Sequence, residues 1–99
     1  MKQLGLKCTR RWAPDFQCFI IELFGKYHCE IGPAIEYTDG HRAGSKYWFV
    51  HGKRHREDGQ ACIDTLKPDN NGWFLDDVEY TEVGFNEEIA KRKAEKHGR

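Results

Sequence analysis

The sequence has 99 residues, which suffice for one small domain and not for two, so we expect a single domain over 1–99. Its 16 basic and 16 acidic residues cancel, which argues against the basic surface of a nucleic-acid binder but leaves a local basic patch open. No apolar run reaches the length of a transmembrane helix and residues 1–7 lack the apolar run of a signal peptide, so we expect a cytoplasmic protein with reduced cysteines and no membrane partner.

Strand patterns follow one another along most of the chain. The first lies at 16–24, after residues 1–15, which match no pattern. Further strands are predicted where β-branched and aromatic residues concentrate, at about 33–38, 46–51, 60–66 and 72–77. Turns are predicted between them at Thr38-Asp39-Gly40 with Gly44 and at 68–72, where Asp-Gly and Asn-Gly tolerate the positive φ angles that tight hairpins need. Because connections this short cannot cross over between parallel strands, the sheet is predicted to be an antiparallel meander.

The last segment has the composition of a helix. Residues 86–96 are helix formers, with acidic residues first and basic residues later, as the helix dipole favours. Either Thr81 or Asn86 is expected to cap the helix, and Phe85 and Ile89 are expected to face the sheet. The predicted fold is mainly β, a β-rich α+β arrangement. It comprises an N-terminal segment and first strand (1–24), two hairpin repeats (25–80) and a C-terminal helix (81–96).

An internal repeat is the most informative pattern. Gly25 to Ala34 and Gly52 to Ala61 share six of ten positions, in the pattern G-K-x-H-x-E-x-G-x-A. The pair Trp48-Phe49 is answered by Trp73-Phe74 in the same way. A period of this length predicts one supersecondary unit per repeat. The strand at 16–24 precedes the first G-K pair and therefore looks like a third copy of the strand.

These residues resemble a known kind of repeat. The segment from Gly52 to Ala61, and more loosely that from Gly25 to Ala34, resembles the H-R-E-D-G-P-A / W-Y β-hairpin repeats of small phage and bacterial proteins. Those repeats are similar in style to MORN and YwqK-antitoxin repeats. Gln60 stands where the motif has Pro, and Asp76-Asp77 stands where it has Gly. The resemblance implies a phage-encoded scaffold of hairpins and no single activity.

The repeated histidines and glutamates permit two interpretations. A His followed two residues later by Glu could bind a metal ion or take part in catalysis. A feature present once per repeat is more often structural, however, with the side chains bonded to turn backbone. The predicted structural repeat residues are His28, Glu30, Gly32, His55, Glu57 and Gly59. The shared glycines Gly32 and Gly59 are expected to need positive φ angles.

No motif predicts a catalytic, cofactor-binding or metal site. The cysteines form no C-x-x-C pair, although a site assembled from distant residues stays open. Among the thiols, only Cys8 has basic neighbours in sequence, Arg10 and Arg11, and is a candidate nucleophile. The same basic run next to Trp12 permits contact with phosphate and a stacked base, and a solvated charged turn is the simpler interpretation.

Aromatic and basic residues of the repeats are the candidate partner-binding residues. Adjacent strand residues point to opposite faces, and one helix covers only one face, so some aromatic rings are expected to be exposed. The predicted partner-binding residues are Trp48, Phe49, Trp73, Phe74, Lys53, Arg54 and Arg56.

The sequence favours binding over catalysis, because it offers no compact set of nucleophile, base and oxyanion donor. The leading hypothesis is a phage-encoded inhibitor of a host defence protein, of the anti-CRISPR or another counter-defence type, that acts in the host cytoplasm by protein–protein interaction. The alternatives are a sponge for a nucleotide signal and a structural or antitoxin-like repeat module. A host protein is the expected partner, and a homo-oligomer is the other arrangement left open.

Overall fold

The computed structural model describes residues 8–97 and is mainly β with one C-terminal helix, as the sequence predicts. Its strands are β1 (Cys8–Ala13), β2 (Cys18–Leu23), β3 (Lys26–Tyr27), β4 (Ile35–Tyr37), β5 (Lys46–Tyr47), β6 (Phe49–Val50), β7 (Lys53–Arg54), β8 (Cys62–Ile63), β9 (Trp73–Leu75) and β10 (Val78–Tyr80). Helix α1 spans Glu82–His97, and short 3-10 turns lie at Gly40–Arg42 and Pro68–Asn70. Residues 1–7 of the predicted N-terminal segment lie outside the described residues.

The largest sheet is an antiparallel meander in the order β1-β2-β4-β5-β8, with β3 also paired to β2. The register places Ile35 between Ile20 and Tyr47, so these three side chains form a row across one face of the sheet. A bridge between Cys62 and Gly72 then leads to β9, which pairs with β10. The predicted antiparallel meander is confirmed.

Three two-residue hairpins recur along the chain, with turns at Phe24-Gly25, His51-Gly52 and Asp76-Asp77. All six turn residues have positive φ angles, between 51° and 81°. This is the geometry of type I′ turns, whose twist matches that of the flanking strands. The sequence predicts two hairpin repeats, whereas the structure contains three such hairpins. The third lacks the turn glycine of the others, and aspartate occupies its left-handed positions because its short polar side chain tolerates them.

The other connections differ from the sequence prediction. The predicted tight turns at Asp39-Gly40 and Asn71-Gly72 belong to longer connections that contain the 3-10 turns. Gly32 and Gly59 do not have the positive φ angles expected of them. A Cβ at Gly59 would lie 2.9 Å from Cζ of Arg56, whereas one at Gly32 would meet nothing within 4 Å. Lack of space, and not backbone conformation, restricts Gly59.

A buried carboxylate organises the connection between β8 and β9. Asp64 is 4% exposed, and its Oδ1 accepts hydrogen bonds from the amides of Leu66 at 2.9 Å and Lys67 at 3.0 Å. Its Oδ2 accepts from Nδ2 of Asn70 at 3.3 Å and from Nη1 of Arg42 at 3.4 Å. These donors, the Lys67 amide foremost, hold the pKa of Asp64 below its ordinary value of 3.8.

Equivalent backbone hydrogen bonds join each hairpin to the next. The amide of Gly52 donates to the carbonyl of Tyr27 at 2.8 Å, and 25 residues later the amide of Asp77 donates to the carbonyl of Arg54 at 2.9 Å. The amide of Cys29 likewise donates to Phe49 at 3.0 Å. The hairpins are therefore stacked in one consistent geometry, each against its neighbour in sequence.

Helix α1 covers the end of the stack. The amide of Gly84 donates to Oγ1 of Thr81 at 3.0 Å, so Thr81, and not Asn86, caps the helix. Phe85 is buried, and its ring lies 6.5 Å from that of Trp73, measured between ring centroids. Within the described residues, no helix combines the length and apolar character needed to cross a membrane.

Candidate functional site

A groove of about 590 Å³ lies between two equivalent connections of the stack. One side is formed by residues 29–32 and the other by residues 55–58, with Lys93 of α1 at its margin. Apolar surface within it comes from the half-buried side chains of Trp48 and Val50 and from Ile31, which is 53% exposed. We call this the repeat groove.

Arg56 covers the ring of Trp48 within the repeat groove. Its Cζ lies 3.9 Å from the centroid of the indole. Its Nε donates to Oδ1 of Asp58 at 2.7 Å, and its Nη1 donates to the carbonyl of Gln60 at 3.1 Å. The guanidinium is therefore held flat on the indole by a cation–π contact and two hydrogen bonds. This arrangement fixes the aromatic surface in one orientation.

Carboxylates form the rim of the repeat groove. The side chains of Glu30, Glu57 and Asp58 are 70%, 58% and 85% exposed. His28 Nε2 lies 3.3 Å from Glu30 Oε2, and His55 Nε2 lies 3.1 Å from Glu57 Oε2. Each repeat histidine thus holds one rim glutamate at the same place in its repeat.

The opposite nitrogen of each imidazole contacts the next hairpin. Nδ1 of His28 accepts a hydrogen bond from the amide of His51 at 2.8 Å, and Nδ1 of His55 accepts one from the amide of Asp76 at 3.1 Å. A ring nitrogen that accepts carries no proton, so Nε2 is the nitrogen that can donate, and in His55 it is hydrogen-bonded to Glu57. The turn of one hairpin and the rim of the groove are therefore linked through a single ring.

The predicted partner-binding residues do not form one surface. Only Trp48 and Arg56 line the repeat groove. Phe49 packs against Tyr27, with ring centroids 5.2 Å apart, and Trp73 packs against Phe85 of the helix. Lys53 is exposed at the start of β7.

Phe74 belongs to the interior, whereas Arg54 lies against its ring with 41% of its own side chain exposed. Phe74 is only 6% exposed, so its ring offers no area to a partner. Cζ of Arg54 lies 4.2 Å from the centroid of that ring, and Nε of Arg54 donates to Oδ1 of Asp77 at 3.0 Å. A binding role for Phe74 is therefore corrected to a packing role.

The described residues hold no arrangement suited to metal or thiol chemistry. Over 8–97, no group of three or more His, Cys, Asp or Glu side chains is placed to hold a metal ion. The four cysteines are free. The pKa of Cys8 is raised, first by desolvation and then by Cys29 and Glu30 nearby, whereas a nucleophilic thiol needs a lowered pKa. The candidate nucleophile is therefore not activated.

Sequence reasoning missed several residues of the groove. Ile31 and Asp58 stand at loop positions with no distinguishing pattern, and Lys93 comes from a helix that the sequence could not place relative to the repeats. Glu30 and Glu57 carried a usable signal, because they recur at one position of the repeat, but recurrence alone does not show that a side chain reaches solvent.

Comparisons with protein-family models, with curated proteins and with solved structures find no significant match to this chain. Function is therefore inferred from the geometry and chemistry of the residues themselves.

Proposed function

We propose that this chain is a non-enzymatic binding protein that holds a segment of another protein in the repeat groove. The observation that carries the proposal is the combination of a fixed, partly exposed indole with a rim of three carboxylates. Protein interfaces typically centre on an aromatic or apolar anchor surrounded by a polar rim. The repeat groove has this composition on the side of the stack where two equivalent connections meet.

The charges of the groove define the partner segment. The carboxylates of Glu30 and Glu57 are exposed, and each lies beside the imidazole of its repeat histidine. Asp58 forms an ion pair with Arg56, whereas within residues 8–97 no Lys or Arg pairs with either glutamate and no carboxylate pairs with Lys93. A segment with an apolar side chain flanked by Lys or Arg matches this surface, because its cations can approach the glutamates while the apolar side chain covers Val50 and Ile31.

A nucleotide-signal sponge fits the groove less well. Phosphate groups would face the carboxylates of Glu30 and Glu57, and like charges at an interface oppose binding. Arg56 already covers one face of Trp48, and no second Trp, Tyr or Phe ring lines the groove to enclose a base. A purely structural or antitoxin-like repeat module requires no groove contact at all, and the experiment below separates it from a binding protein.

The finer proposal names the partner as a host protein, in a defence or nuclease system, inhibited by a phage-encoded chain. Its support is the resemblance of Gly52 to Ala61 to phage repeats, together with the small size of the chain. The groove is the support for binding a basic and apolar segment. The proposal that this segment belongs to a host defence protein rests on the resemblance alone.

Reversal of the rim charge tests the proposal. We would compare the wild type, the double variant Glu30→Lys with Glu57→Lys, and the double variant Glu79→Lys with Glu87→Lys, whose side chains are exposed and do not line the repeat groove. Tagged proteins would be incubated with bacterial lysate, and retained proteins identified by mass spectrometry. Light scattering would give the mass of the purified complex.

A partner retained by the wild type and the control variant, and lost from the rim variant, supports the groove as the binding site. Cross-links from this partner to residues 29–32 or 55–58 would place it there. Equal retention by all three proteins, or retention by none, contradicts the proposal. Thermal melts of each variant show whether a loss of binding comes from loss of folding.

A further inference from the structure

Strand β1 is the outermost strand of the large sheet. It spans Cys8–Ala13 and pairs with β2 along its whole length, from Cys8 opposite Leu23 to Ala13 opposite Cys18. On its other side no strand of the described part of the chain pairs with it. An edge strand turns alternate N–H and C=O groups outward, and these can pair with another extended chain. Residues 9–12 are all exposed.

The side chains of β1 give this edge a positive charge. Arg11 donates from Nε and Nη2 to the carboxylate of Glu22, at 3.3 Å each, which leaves Nη1 for a second carboxylate. Cζ of Arg10 lies 3.8 Å from the centroid of the Phe19 ring, and no carboxylate among residues 8–97 forms an ion pair with it. β1 itself carries no acidic residue.

An aromatic ring stands beside these cations. Trp12 is 40% exposed and packs against Phe19, with ring centroids 4.9 Å apart. Side chains alternate along a strand, so Arg10 and Trp12 share one face and Arg11 lies on the other. A chain added at this edge would therefore meet an apolar surface and a cation on one face and a cation on the opposite face.

We propose that β1 binds an extended acidic segment of another protein, which adds to the sheet as an antiparallel strand. Residues directly opposite in antiparallel strands interact most strongly. The segment therefore carries, from its N-terminal to its C-terminal end, an apolar or aromatic residue opposite Trp12, an acidic residue opposite Arg11 and another opposite Arg10. This surface shares no residue with the repeat groove, so the inference goes beyond the proposed function.

A second copy of the chain is the wrong occupant for this edge. Antiparallel pairing of two β1 strands about a two-fold axis would bring Arg10 and Arg11 of one copy close to those of the other. Like charges placed opposite each other in a sheet are destabilising, and charged residues on edge strands prevent such self-pairing. The same two arginines that oppose a second copy favour an acidic segment.

A capped peptide of sequence T-W-E-E-V-T is the probe. Its binding to the 99-residue protein would be followed by calorimetry and by hydrogen exchange of the β1 amides. We expect saturable binding that weakens with added salt, and slowed exchange at alternate residues of β1. The charge-reversed peptide T-W-K-K-V-T should not bind. A version of the acidic peptide methylated at alternate backbone nitrogens keeps the side chains but cannot complete the ladder, and should lose binding.

Variants locate the site on the protein. Arg10→Glu with Arg11→Glu should weaken binding of the acidic peptide at least about tenfold, because attraction becomes repulsion at both positions. Lys53→Glu with Lys91→Glu makes the same change of charge at exposed residues elsewhere and should leave the affinity unchanged. Arg10→Glu alone, which preserves the ion pair of Arg11 with Glu22, should weaken binding if the double variant does not fold.

Three results would overturn the inference. The methylated peptide binding as well as the parent would show adsorption by charge without strand addition. Equal weakening by both double variants would show that only net charge matters. Exchange at the β1 edge that is already slow in the protein alone would show that the edge is covered, by residues 1–7 or by a second copy, which light scattering distinguishes.

Discussion

Nδ1 of His28 accepts a hydrogen bond from the backbone amide of His51, at 2.8 Å, and this bond joins the first hairpin to the turn of the second. His55 makes the same contact with the turn of the third hairpin, through the amide of Asp76. In both cases the acceptor lies in the residue that the motif repeats, and the donor is the first residue of a type I′ turn.

Replacement of His28 tests this contact. His28→Phe keeps a ring of similar shape but removes the acceptor, and leaves the His51 amide without a partner in a site where His28 is 2% exposed. We expect the free energy of unfolding to fall by about 2 kcal/mol, measured by urea denaturation. His41→Phe changes an exposed histidine of a connection and should alter stability by less than about 0.5 kcal/mol. Equal effects of the two substitutions would contradict a role for the contact.

The buried carboxylate of Asp64 should make stability depend on pH. Its pKa is lower in the folded chain than its ordinary value of 3.8, so the folded state favours the ionised form. The resulting stabilisation is present in full above that value and is lost as pH falls below it towards the folded-state pKa. Asp64→Asn should lower the free energy of unfolding at pH 7 by about 2 kcal/mol.

The matched control for this pH profile is Asp69→Asn, at an exposed position of the same connection. The three proteins would be compared by urea denaturation between pH 2.5 and 7, a range that brackets the ordinary pKa of an Asp carboxyl, about 4. We expect the Asp64 variant to lose less stability on acidification than the wild type, and the Asp69 variant to follow the wild type. If the stability of the Asp64 variant fell with pH as steeply as that of the wild type, Asp64 would not be the source of the pH dependence.

Substitution by alanine should destabilise the protein at one glycine of the repeat and have little effect at another. Gly52 has a φ of +81° in its hairpin turn, a conformation that a Cβ disfavours, so Gly52→Ala should lower the free energy of unfolding by about 1 kcal/mol. Gly32 does not have a positive φ, and a Cβ added there would meet nothing within 4 Å. Gly32→Ala should therefore change the free energy of unfolding by less than about 0.5 kcal/mol. Chemical denaturation of both variants checks this difference. A larger loss of unfolding free energy in Gly32→Ala than in Gly52→Ala would contradict the prediction.

The first hairpin should gain stability from a better turn residue. Phe24 holds a φ of +52° although it is aromatic, and it is 79% exposed, so it contributes little packing. Asparagine tolerates this conformation, and Asn-Gly is the favoured type I′ pair. Phe24→Asn should raise the free energy of unfolding by about 0.5 kcal/mol, read as a higher melting temperature. Phe16→Asn removes a ring that is 66% exposed and has no positive φ, and should give no gain.

A fall in the melting temperature of Phe24→Asn, with Phe16→Asn unchanged, would mean that the exposed ring contributes more than its backbone strain subtracts. The prediction would then be wrong, and the ring would be a stabilising element of the turn.

The sequence predicted the succession of β2, β4, β5 and β8 and the C-terminal helix, because these depend on local patterns. Apolar and aromatic runs indicate strands wherever they occur, and Phe85 four residues before Ile89 indicates a helix face. The polar strand β1 was missed, because Thr9, Arg10 and Arg11 give no apolar alternation. Its partner β2 provides the buried side chains of that pair, among them Ile20 and Ile21.

The turns at 38–44 and 68–72 were predicted at the right places, but their geometry differs from that of a tight hairpin for another reason. Asp-Gly and Asn-Gly indicate type I′ turns in general, yet here the long connections use Gly40 within or beside a 3-10 turn. The hairpin turns contain Phe24, an aromatic residue that a positive φ disfavours, and His51. The hydrogen bond from the His51 amide to Nδ1 of His28 is a tertiary contact that holds His51 there. No rule of local propensity includes a partner 23 residues away.

The groove could be predicted only in part for the same reason. Trp48 and Arg56 were candidates by composition, but their stacking depends on how the second hairpin and its following connection fold against each other. Phe74 looked equivalent to Phe49 in sequence, and its burial depends on the last strand pair at the end of the stack.

The joint between hairpins has a consequence for how such a chain can grow. His55 follows His28 by 27 residues, and each ring meets the turn of the unit after it. A duplicated unit inserted in frame would bring both its own ring and its own turn amide, so that the new boundaries would match the old ones. Gene duplication could therefore lengthen the protein without redesign of any interface, until a helix such as α1 ends the series.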